Sequence, residues 1–254
     1  MELHRDGPVA RVVLDRPERR NALSLALMRE VIDTLDDVAA DPAVRVVVME
    51  GNGPAFSAGH DLAEMTATRD AGFYEELFTT CVRMMTRVHE LPQPVIAKVH
   101  GIATAAGCQL VAACDLAVAA EDARFATPGV NIGLFCSTPM VPVARSVGRK
   151  RALEMLLTGE MIDARTALEW GLVNHVVPGD RLDDEVLALA GRIAQASGYV
   201  LALGKRAFYA QDQLPEDGAY AVACPVMVDN AQADDAHEGM RAFLEKRAPK
   251  WSSG

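Results

Sequence analysis

The first two thirds of the chain alternate between short apolar runs and helical patterns. The apolar runs, which are typical of buried strands, lie at residues 9–14, 44–50, 94–99 and 116–119. Because helical patterns separate these runs, we expect right-handed βα units and largely parallel strand pairing. The pattern therefore predicts an α/β fold.

Two of the intervening segments predict amphipathic helices. The first should begin after an N-cap at Ser24, and the second should stop before Pro92. Apolar residues recur at helical spacing in both: Leu25, Met28, Ile32, Leu35 and Val38 in the first, and Tyr74, Leu77, Phe78, Cys81, Met85 and Val88 in the second. We expect both stripes to pack on the core rather than to bind a cofactor.

Strand signals become rare from residue 163 onward. Residues 163–170 predict a capped helix closed by Gly171, and residues 172–177 predict one short strand. A last helix is predicted over residues 234–247, because acids occupy its first turn and bases its last, as the helix dipole favours.

The chain therefore divides into a core, residues 1–195, and a helical C-terminal section, residues 196–254. The C-terminal section carries apolar faces with little sheet left to cover. We expect its helices to complete a pocket on the core and to contact other subunits.

At 254 residues and 50% hydrophobic content, the chain can bury a core large enough for one domain. Its formal net charge of −10, with acids and bases mixed, disfavours nucleic acid and anionic membranes as partners. A local basic pocket could still bind a polyanionic ligand. No segment has the length and apolarity of a membrane span, and none resembles a targeting signal.

The five cysteines are an odd number and lack C-x-x-C spacing: Cys81, Cys108, Cys114, Cys136 and Cys224. We interpret them as reduced thiols in the packed interior of a cytoplasmic protein.

Two glycine-rich segments, residues 50–62 and 98–110, follow predicted strands, where ligands bind in open α/β sheets. The second leads into a helix that starts with small residues, so its free N–H groups could hold an anion or an oxyanion. Taken alone, it is more typical of a buried helix packed closely. Phe56 stands where a dinucleotide-binding motif needs glycine, and neither a P-loop nor an H-E-x-x-H metal site is present.

The combination of motifs resembles one family. Residues 16–23 (RPERRNAL) resemble the R-P-x-x-x-N-A-L signature of the crotonase (enoyl-CoA hydratase/isomerase) superfamily, and residues 55–62 (AFSAGHDL) resemble its A-F-x-A-G-x-D-L. Further family blocks follow in order as far as residue 247. Within the superfamily, residues 59–62 and 126–134 are similar to the enoyl-CoA hydratase domain-containing protein 3 group.

The resemblance implies an α/β crotonase-like spiral of ββα units, a fold shared with Clp peptidases, followed by a helical C-terminal section. It also implies homotrimers, often paired into homohexamers. The implied ligand is an acyl-CoA or enoyl-CoA thioester, with coenzyme A as part of the substrate and no separate cofactor or metal.

In this family the backbone N–H groups of two residues form an oxyanion hole, and they match His60 and Ala106. Hydratases of the family also use two glutamates, whose positions match Gln109 and Gly129. Because both carboxylates are absent, we expect slow hydration. Glutamates introduced at both positions are expected to raise its rate.

The resemblance also implies substrate contacts, including one arginine of the pair Arg19 and Arg20 at the phosphates and backbone carbonyls facing the adenine. The matched positions are Arg20, Ala22, Ser57, Ala58, Asp61, Leu62, Ala105, Pro128, Val130, Leu134 and Lys246.

Several alternatives stay open. His60 either acts as a base or shapes the pocket, Glu64 either faces the cleft or is a solvated acid, and Cys136 and Ser137 are best interpreted as pocket lining. The chain is either an enzyme acting through the oxyanion hole or a non-catalytic acyl-CoA-binding protein. A hydrolase is disfavoured, because no Ser/His/Asp set has a recognisable order.

Overall fold

The structure is a computed structural model and describes residues 1–252. The strands are β1 (Glu2–Asp6), β2 (Val9–Leu14), β3 (Val46–Gly51), β4 (Ala55–Ser57), β5 (Val95–Val99), β6 (Ile102–Thr104), β7 (Leu116–Ala120), β8 (Arg124–Ala126), β9 (Ile162–Asp163) and β10 (His175–Val177). The helices are α1 (Leu25–Ala39), α2 (Leu62–Ala67), α3 (Ala71–Glu90), α4 (Ala106–Ala113), α5 (Met140–Val147), α6 (Arg149–Thr158), α7 (Ala164–Trp170), α8 (Leu182–Ala194), α9 (Gly198–Gln211), α10 (Glu216–Gln232) and α11 (Asp234–Leu244).

The strands form two sheets. One has the order β1-β2-β3-β5-β7-β10 and is parallel from β2 onward, and the other has the order β4-β6-β8-β9. Three times a strand of the first sheet is followed by a short strand of the second and then by helix: β3-β4-α2, β5-β6-α4 and β7-β8-α5. This repetition of ββα units confirms the predicted crotonase-like α/β fold.

The predicted amphipathic helices pack against each other and bury most of their apolar stripes in the main hydrophobic core. Ser24 is the N-cap of α1, because its hydroxyl accepts a hydrogen bond from Leu27 N at 3.3 Å. In α3 the stripe from Leu77 to Val88 is buried, whereas Tyr74 and Phe78 are only partly buried at one end of the core. Phe78 is thereby available to a neighbouring cavity.

Several boundaries differ from the predictions. The strand predicted over 172–177 is confined to β10, and the last helix ends at Leu244 because the backbone turns left-handed at Lys246, where φ is +55°. The interpretation of all five cysteines as core thiols is wrong for Cys224, which is exposed on α10; the other four are buried.

The C-terminal helices leave much apolar surface uncovered in the single chain. Helix α10 buries none of its described residues. Large apolar side chains that are exposed here include Phe208, Tyr220, Met227, Met240, Phe243 and Leu244.

Within residues 1–252, no single helix is long and apolar enough to cross a membrane; α8 with its preceding turn and α9 pass that test only as a pair bent by 102°.

Candidate functional site

An apolar cavity of about 440 Å³, which we call the thioester cavity, lies where β4 and β6 end. The residues after β4 form one wall, the start of α4 forms a second, and residues 128–139 form a third. Of the described side chains that line it, only those of His60 and Cys136 titrate in an ordinary pH range. Among residues 1–252, no group of three or more His, Cys, Asp or Glu could hold a metal ion.

Two backbone segments meet at the wall of this cavity. Gly59 has a φ of +88°, and a Cβ placed on it would lie 2.8 Å from Ala105 Cβ and 3.1 Å from Ala106 N. Ala106 is the first residue of α4, so its N–H has no acceptor within the helix. The glycine therefore allows the segment before His60 to approach the free N–H groups of a helix N-terminus.

The orientation of the His60 peptide follows from its pairing with Leu23. Leu23 N donates to Gly59 O at 2.7 Å, and Asp61 N donates to Leu23 O at 3.3 Å. In such a parallel bridge the N–H of the central residue points away from its partner. The N–H of His60 is therefore directed away from Leu23 and is not used by this bridge.

Ala105 holds the start of α4 in an unusual conformation. Its φ is +51° and its ψ is −118°, a region that residues other than glycine seldom adopt. Ala105 N donates to Ala126 O at 2.9 Å, and Ala105 O accepts from Gln109 N at 3.0 Å. Such strain costs roughly 1–3 kcal/mol and is typical of functional sites.

Asn21 is the buried polar residue that joins the family's first motif to the cavity. Its amide nitrogen donates to Asn52 O at 2.9 Å and Ala55 O at 2.8 Å, and its carbonyl accepts from Ser57 Oγ at 2.9 Å. The same Ser57 Oγ accepts a hydrogen bond from Gly59 N at 3.3 Å. Asn21 thus positions the turn that carries Gly59, a role that sequence reasoning did not assign.

Asp61 also supports this turn and does not line the cavity. Its carboxylate caps α2 by accepting from Ala63 N at 3.1 Å, and it pairs with Arg16 Nη2 at 3.2 Å. Glu64 does not line the cavity and is half-buried, and its carboxylate accepts from Leu25 N at 3.0 Å, at the start of α1. Both acids therefore have structural partners.

The His60 imidazole lies in an apolar environment. Its ring meets Phe78 edge to face, with 5.5 Å between centroids and 77° between planes. Both ring nitrogens are buried, and neither makes a hydrogen bond of good geometry among the described residues, although the backbone of Leu23 acts as a weak acceptor toward the ring. Burial lowers the pKa of His60 below 6.5, opposed by the backbone of Leu23, so the ring is neutral at physiological pH.

Gln109 does not line the thioester cavity. It is buried, accepts a 3.9 Å hydrogen bond from Cys81 Sγ, and borders a separate cavity of about 570 Å³. The two cavities share wall residues Ser137 and Thr138. The helix face of Gln109 therefore directs its side chain toward α3 rather than toward His60.

Gly129 lies on the cavity wall, but there is no room for a side chain. A Cβ at this position would lie 2.8 Å from Cys136 Sγ and 2.9 Å from Leu134 O. Because the latter is a backbone atom, the loop itself would have to move. A glutamate at 129 would therefore require a shift of this loop, and the expected gain in hydration from glutamates at both positions stays a prediction.

Only some of the remaining residues predicted to contact the substrate line the thioester cavity. Ala58, Leu62, Ala105, Pro128 and Leu134 line the thioester cavity. Outside it lie Ala22, which is buried, Val130, which is exposed, and Ser57, whose carbonyl packs against Gly107. The predicted adenine-facing carbonyl of Ala58 accepts from Thr104 Oγ1 at 3.1 Å.

Of the two basic residues predicted to contact the substrate, only Arg20 lies beside the thioester cavity. Arg20 is exposed, and its carbonyl accepts from Ala58 N at 2.9 Å, which places its backbone beside the cavity wall. Lys246 is exposed beyond the end of α11 and does not line the cavity. Arg247 pairs with Glu238 and Glu245, and hydrogen bonds from Arg247, Arg241 and Lys250 lower the pKa of Glu238.

Known proteins resemble this chain over nearly its whole length. Residues 4–254 match a family model described as enoyl-CoA hydratase/isomerase. The chain is 48% identical to human "Enoyl-CoA hydratase domain-containing protein 3, mitochondrial", over 97% of this chain and 81% of the relative. It is 36% identical to 2,3-dehydroadipyl-CoA hydratase of Escherichia coli strain K12, over 96% and 95% of the two chains.

Solved structures agree with these relatives. A crystal structure of an enoyl-CoA hydratase from Mycobacterium smegmatis matches with a TM-score of 0.96 and 49% identity, covering 98% of each chain. A crystal structure of human enoyl coenzyme A hydratase domain-containing protein 3 also gives 0.96, with 46% identity and 98% and 99% coverage.

These relatives correct one prediction and confirm another. The predicted cytoplasmic location is contradicted, because the zebrafish, rat and human relatives at 47–48% identity are named as mitochondrial proteins. The predicted resemblance to the enoyl-CoA hydratase domain-containing protein 3 group is confirmed. The chain belongs to the enoyl-CoA hydratase/isomerase (crotonase) family.

Proposed function

We propose that this chain binds an acyl-CoA or enoyl-CoA thioester in the thioester cavity and stabilises its enolate. The proposed donors to the enolate oxygen are the backbone N–H groups of His60 and Ala106. The observation that carries the proposal is the approach of Gly59 to Ala106 N, which places a turn against the free end of α4.

The surroundings strengthen such an oxyanion hole. Main-chain donors cost no reorganisation when charge develops, and an apolar cavity raises their electrostatic contribution. The helix dipole of α4 adds a partial positive charge at Ala106. We therefore propose an enzyme that stabilises negative charge on the thioester oxygen.

Arg20 is the proposed phosphate contact, because its backbone is bonded to Ala58 on the cavity wall while its side chain is exposed. A guanidinium can bind phosphate oxygens in a bidentate manner. Lys246 is retained as a proposed second contact, which in an oligomer could come from a neighbouring subunit.

A second candidate function is non-catalytic binding of acyl-CoA. The observation that favours it is the cavity wall itself: its described residues include no carboxylate. Both proposed functions require that the chain binds acyl-CoA, but only the enzyme would convert it to a product.

Binding is tested by calorimetry with acyl-CoA compounds and the variant Gly59→Ala. We expect the wild-type protein to bind thioesters more tightly than adenosine. We expect Gly59→Ala to lose most of this preference, because its Cβ would displace Ala106 N and Ala105.

Gly148→Ala is the matched control for this test. Gly148 also has a positive φ, +80°, and open space at its Cβ, so the variant has a strained backbone without a new contact. Equal affinity for butyryl-CoA and adenosine in the wild-type protein would contradict the proposed function. Equal binding losses in the two variants would contradict the oxyanion geometry.

We further propose that the protein forms homotrimers that can pair into homohexamers. The support is the apolar surface of α9 to α11, where Phe243 is 83% exposed and Leu244 is 80% exposed in the single chain. Light scattering at micromolar concentration should report an oligomer, and Phe243→Asp should shift it toward monomer. A wild-type monomer would contradict this prediction.

A further inference from the structure

The second cavity adjoins the thioester cavity directly. Its volume is about 570 Å³, and Ser137 and Thr138 line both cavities. Helices α3, α4, α5 and the end of α9 form its walls. The proposed oxyanion hole uses none of this space, so the second cavity can take a part of the ligand that extends beyond the thioester group.

Three helices lead from one cavity to the other in the same direction. In each of them, a residue that lines the thioester cavity precedes a residue that lines the second cavity. The pairs are Phe78 and His89 on α3, Ala106 and Ala113 on α4, and Pro139 and Arg145 at α5. The second cavity therefore continues the thioester cavity along the axes of these helices.

The nearer part of the second cavity is apolar. Four side chains of α3 and α5 line it there: Val82, Met85, Val141 and Pro142. Charged groups enter its described lining only farther along, at Arg145 on α5 and at Asp212 after α9. An apolar passage of this kind fits a hydrocarbon chain.

Two aromatic rings border the far part of the second cavity. The rings of His89 and Tyr209 are stacked, with 4.2 Å between centroids and 17° between planes. The backbone of Ala113 acts on the His89 ring, which places this ring beside the last residue of α4. Burial lowers the pKa of His89 below 6.5, so the ring is neutral near pH 7 and suits an apolar chain end.

Buried polar contacts hold this ring pair in place. The hydroxyl of Tyr209 donates to Asp115 Oδ1 at 2.7 Å. Lys205, whose side chain is 7% exposed, pairs with Asp115 Oδ2 at 2.6 Å and donates to Val88 O at 2.8 Å. Breaking a buried ion pair by removing one partner is strongly destabilising. The Tyr209 ring and the backbone next to His89 are therefore fixed to the same network.

We propose that the second cavity binds the distal part of the acyl chain and that the His89–Tyr209 ring pair limits the length of that chain. The inference rests on the proposed function, because the thioester carbonyl must lie at the N–H of Ala106. The substrate class is then a medium-chain acyl-CoA thioester.

The length of α4 sets the expected number of carbons. Ala113 follows Ala106 by seven residues, which corresponds to about 10 Å along a helix. An extended alkyl chain advances about 1.25 Å per carbon, given bonds of about 1.5 Å and near-tetrahedral angles. A chain that runs beside α4 therefore reaches the ring pair with about eight carbons.

Calorimetry of the wild-type protein with butyryl-, octanoyl- and dodecanoyl-CoA tests this length, at concentrations below micelle formation. Each buried methylene should lower Kd about threefold to fourfold, so octanoyl-CoA should bind about 100-fold more tightly than butyryl-CoA. Dodecanoyl-CoA should bind within about threefold of octanoyl-CoA, because its additional carbons gain no buried apolar surface.

Two variants should shift this preference in opposite directions. Ala112→Leu fills the second cavity and should weaken octanoyl-CoA binding about tenfold, with butyryl-CoA binding changed little. His89→Ala opens the far end and should strengthen dodecanoyl-CoA binding about tenfold relative to octanoyl-CoA. Ala188→Leu is the matched control, because Ala188 is exposed on α8 and lines neither cavity. It should keep the wild-type preference.

Equal affinities of the wild-type protein for butyryl- and octanoyl-CoA would overturn the proposal and leave thioester binding intact. So would an unchanged length preference in both folded variants, because the chain would then lie elsewhere. A wild-type circular dichroism spectrum shows that a variant is folded. If Ala112→Leu is not, Val82→Phe takes its place, since Val82 lines the same cavity and is half-exposed. Equal affinity for butyryl-CoA and adenosine would instead overturn the proposed function.

Discussion

Replacing Ala106 by proline should lower kcat/KM for an enoyl-CoA thioester by about 100- to 1,000-fold, the usual effect of losing one oxyanion donor. Proline removes the N–H, and its ring takes the space that the thioester oxygen would occupy. Proline is well tolerated at the first residue of a helix, but Ala105 has φ +51° and ψ −118°, outside the extended region that the residue before proline adopts. The comparison therefore requires that Ala106→Pro keeps the circular dichroism spectrum of the wild-type protein.

Asp234→Pro provides the matched control. Asp234 is the first residue of α11, is exposed and does not line the thioester cavity. Its preceding residue, Ala233, has φ −69° and ψ 147°, which proline accepts. Wild-type kinetics in Ala106→Pro, with Asp234→Pro also active, would show that this N–H does not bind the reacting thioester.

The elements that could be predicted have strong local signals. Ser24 caps α1 as expected, Asp163 caps α7 through a 2.8 Å bond from Thr166 N, and Gly171 ends α7 with a left-handed φ of +87°. In each case the hydrogen bond or the φ involves residues within a few positions of one another, so the sequence alone determines it.

The second sheet could not be predicted in the same way. Its strands β4, β6 and β8 have only three residues each, too few for a period-2 pattern. They pair with strands about 45 or 20 residues away, as Ala55 does with Ile102. Such pairing depends on the course of the whole chain and leaves no local signal.

The sequence predicts which residues lie near the site, but it does not predict which way their side chains point. The motifs place Gln109 three residues after Ala106, and this spacing does not reveal that the amide turns to Cys81. Likewise, the ring of His60 packs against Phe78, a residue of helix α3, and this contact has no local signal in the sequence. For Asn21, the signal available in the sequence was a polar residue in the middle of the otherwise matched first motif.

We expect the wild-type protein to hydrate crotonyl-CoA about 100- to 10,000-fold more slowly than a family member that has both glutamates, since positioned acid–base groups contribute about this factor. The described residues of the cavity wall include no carboxylate to hold and deprotonate the attacking water, and both ring nitrogens of His60 are buried.

Two single glutamate variants sharpen this prediction. Gln109→Glu should leave hydration unchanged within about threefold, because side chain 109 faces α3 and the second cavity. Gly129→Glu should weaken butyryl-CoA binding, because its Cβ would lie 2.9 Å from Leu134 O and 2.8 Å from Cys136 Sγ. Calorimetry on each variant separates lost binding from lost chemistry. Rapid hydration by the wild-type protein would contradict this prediction, and rescue by Gln109→Glu would show that side chain 109 reaches the substrate.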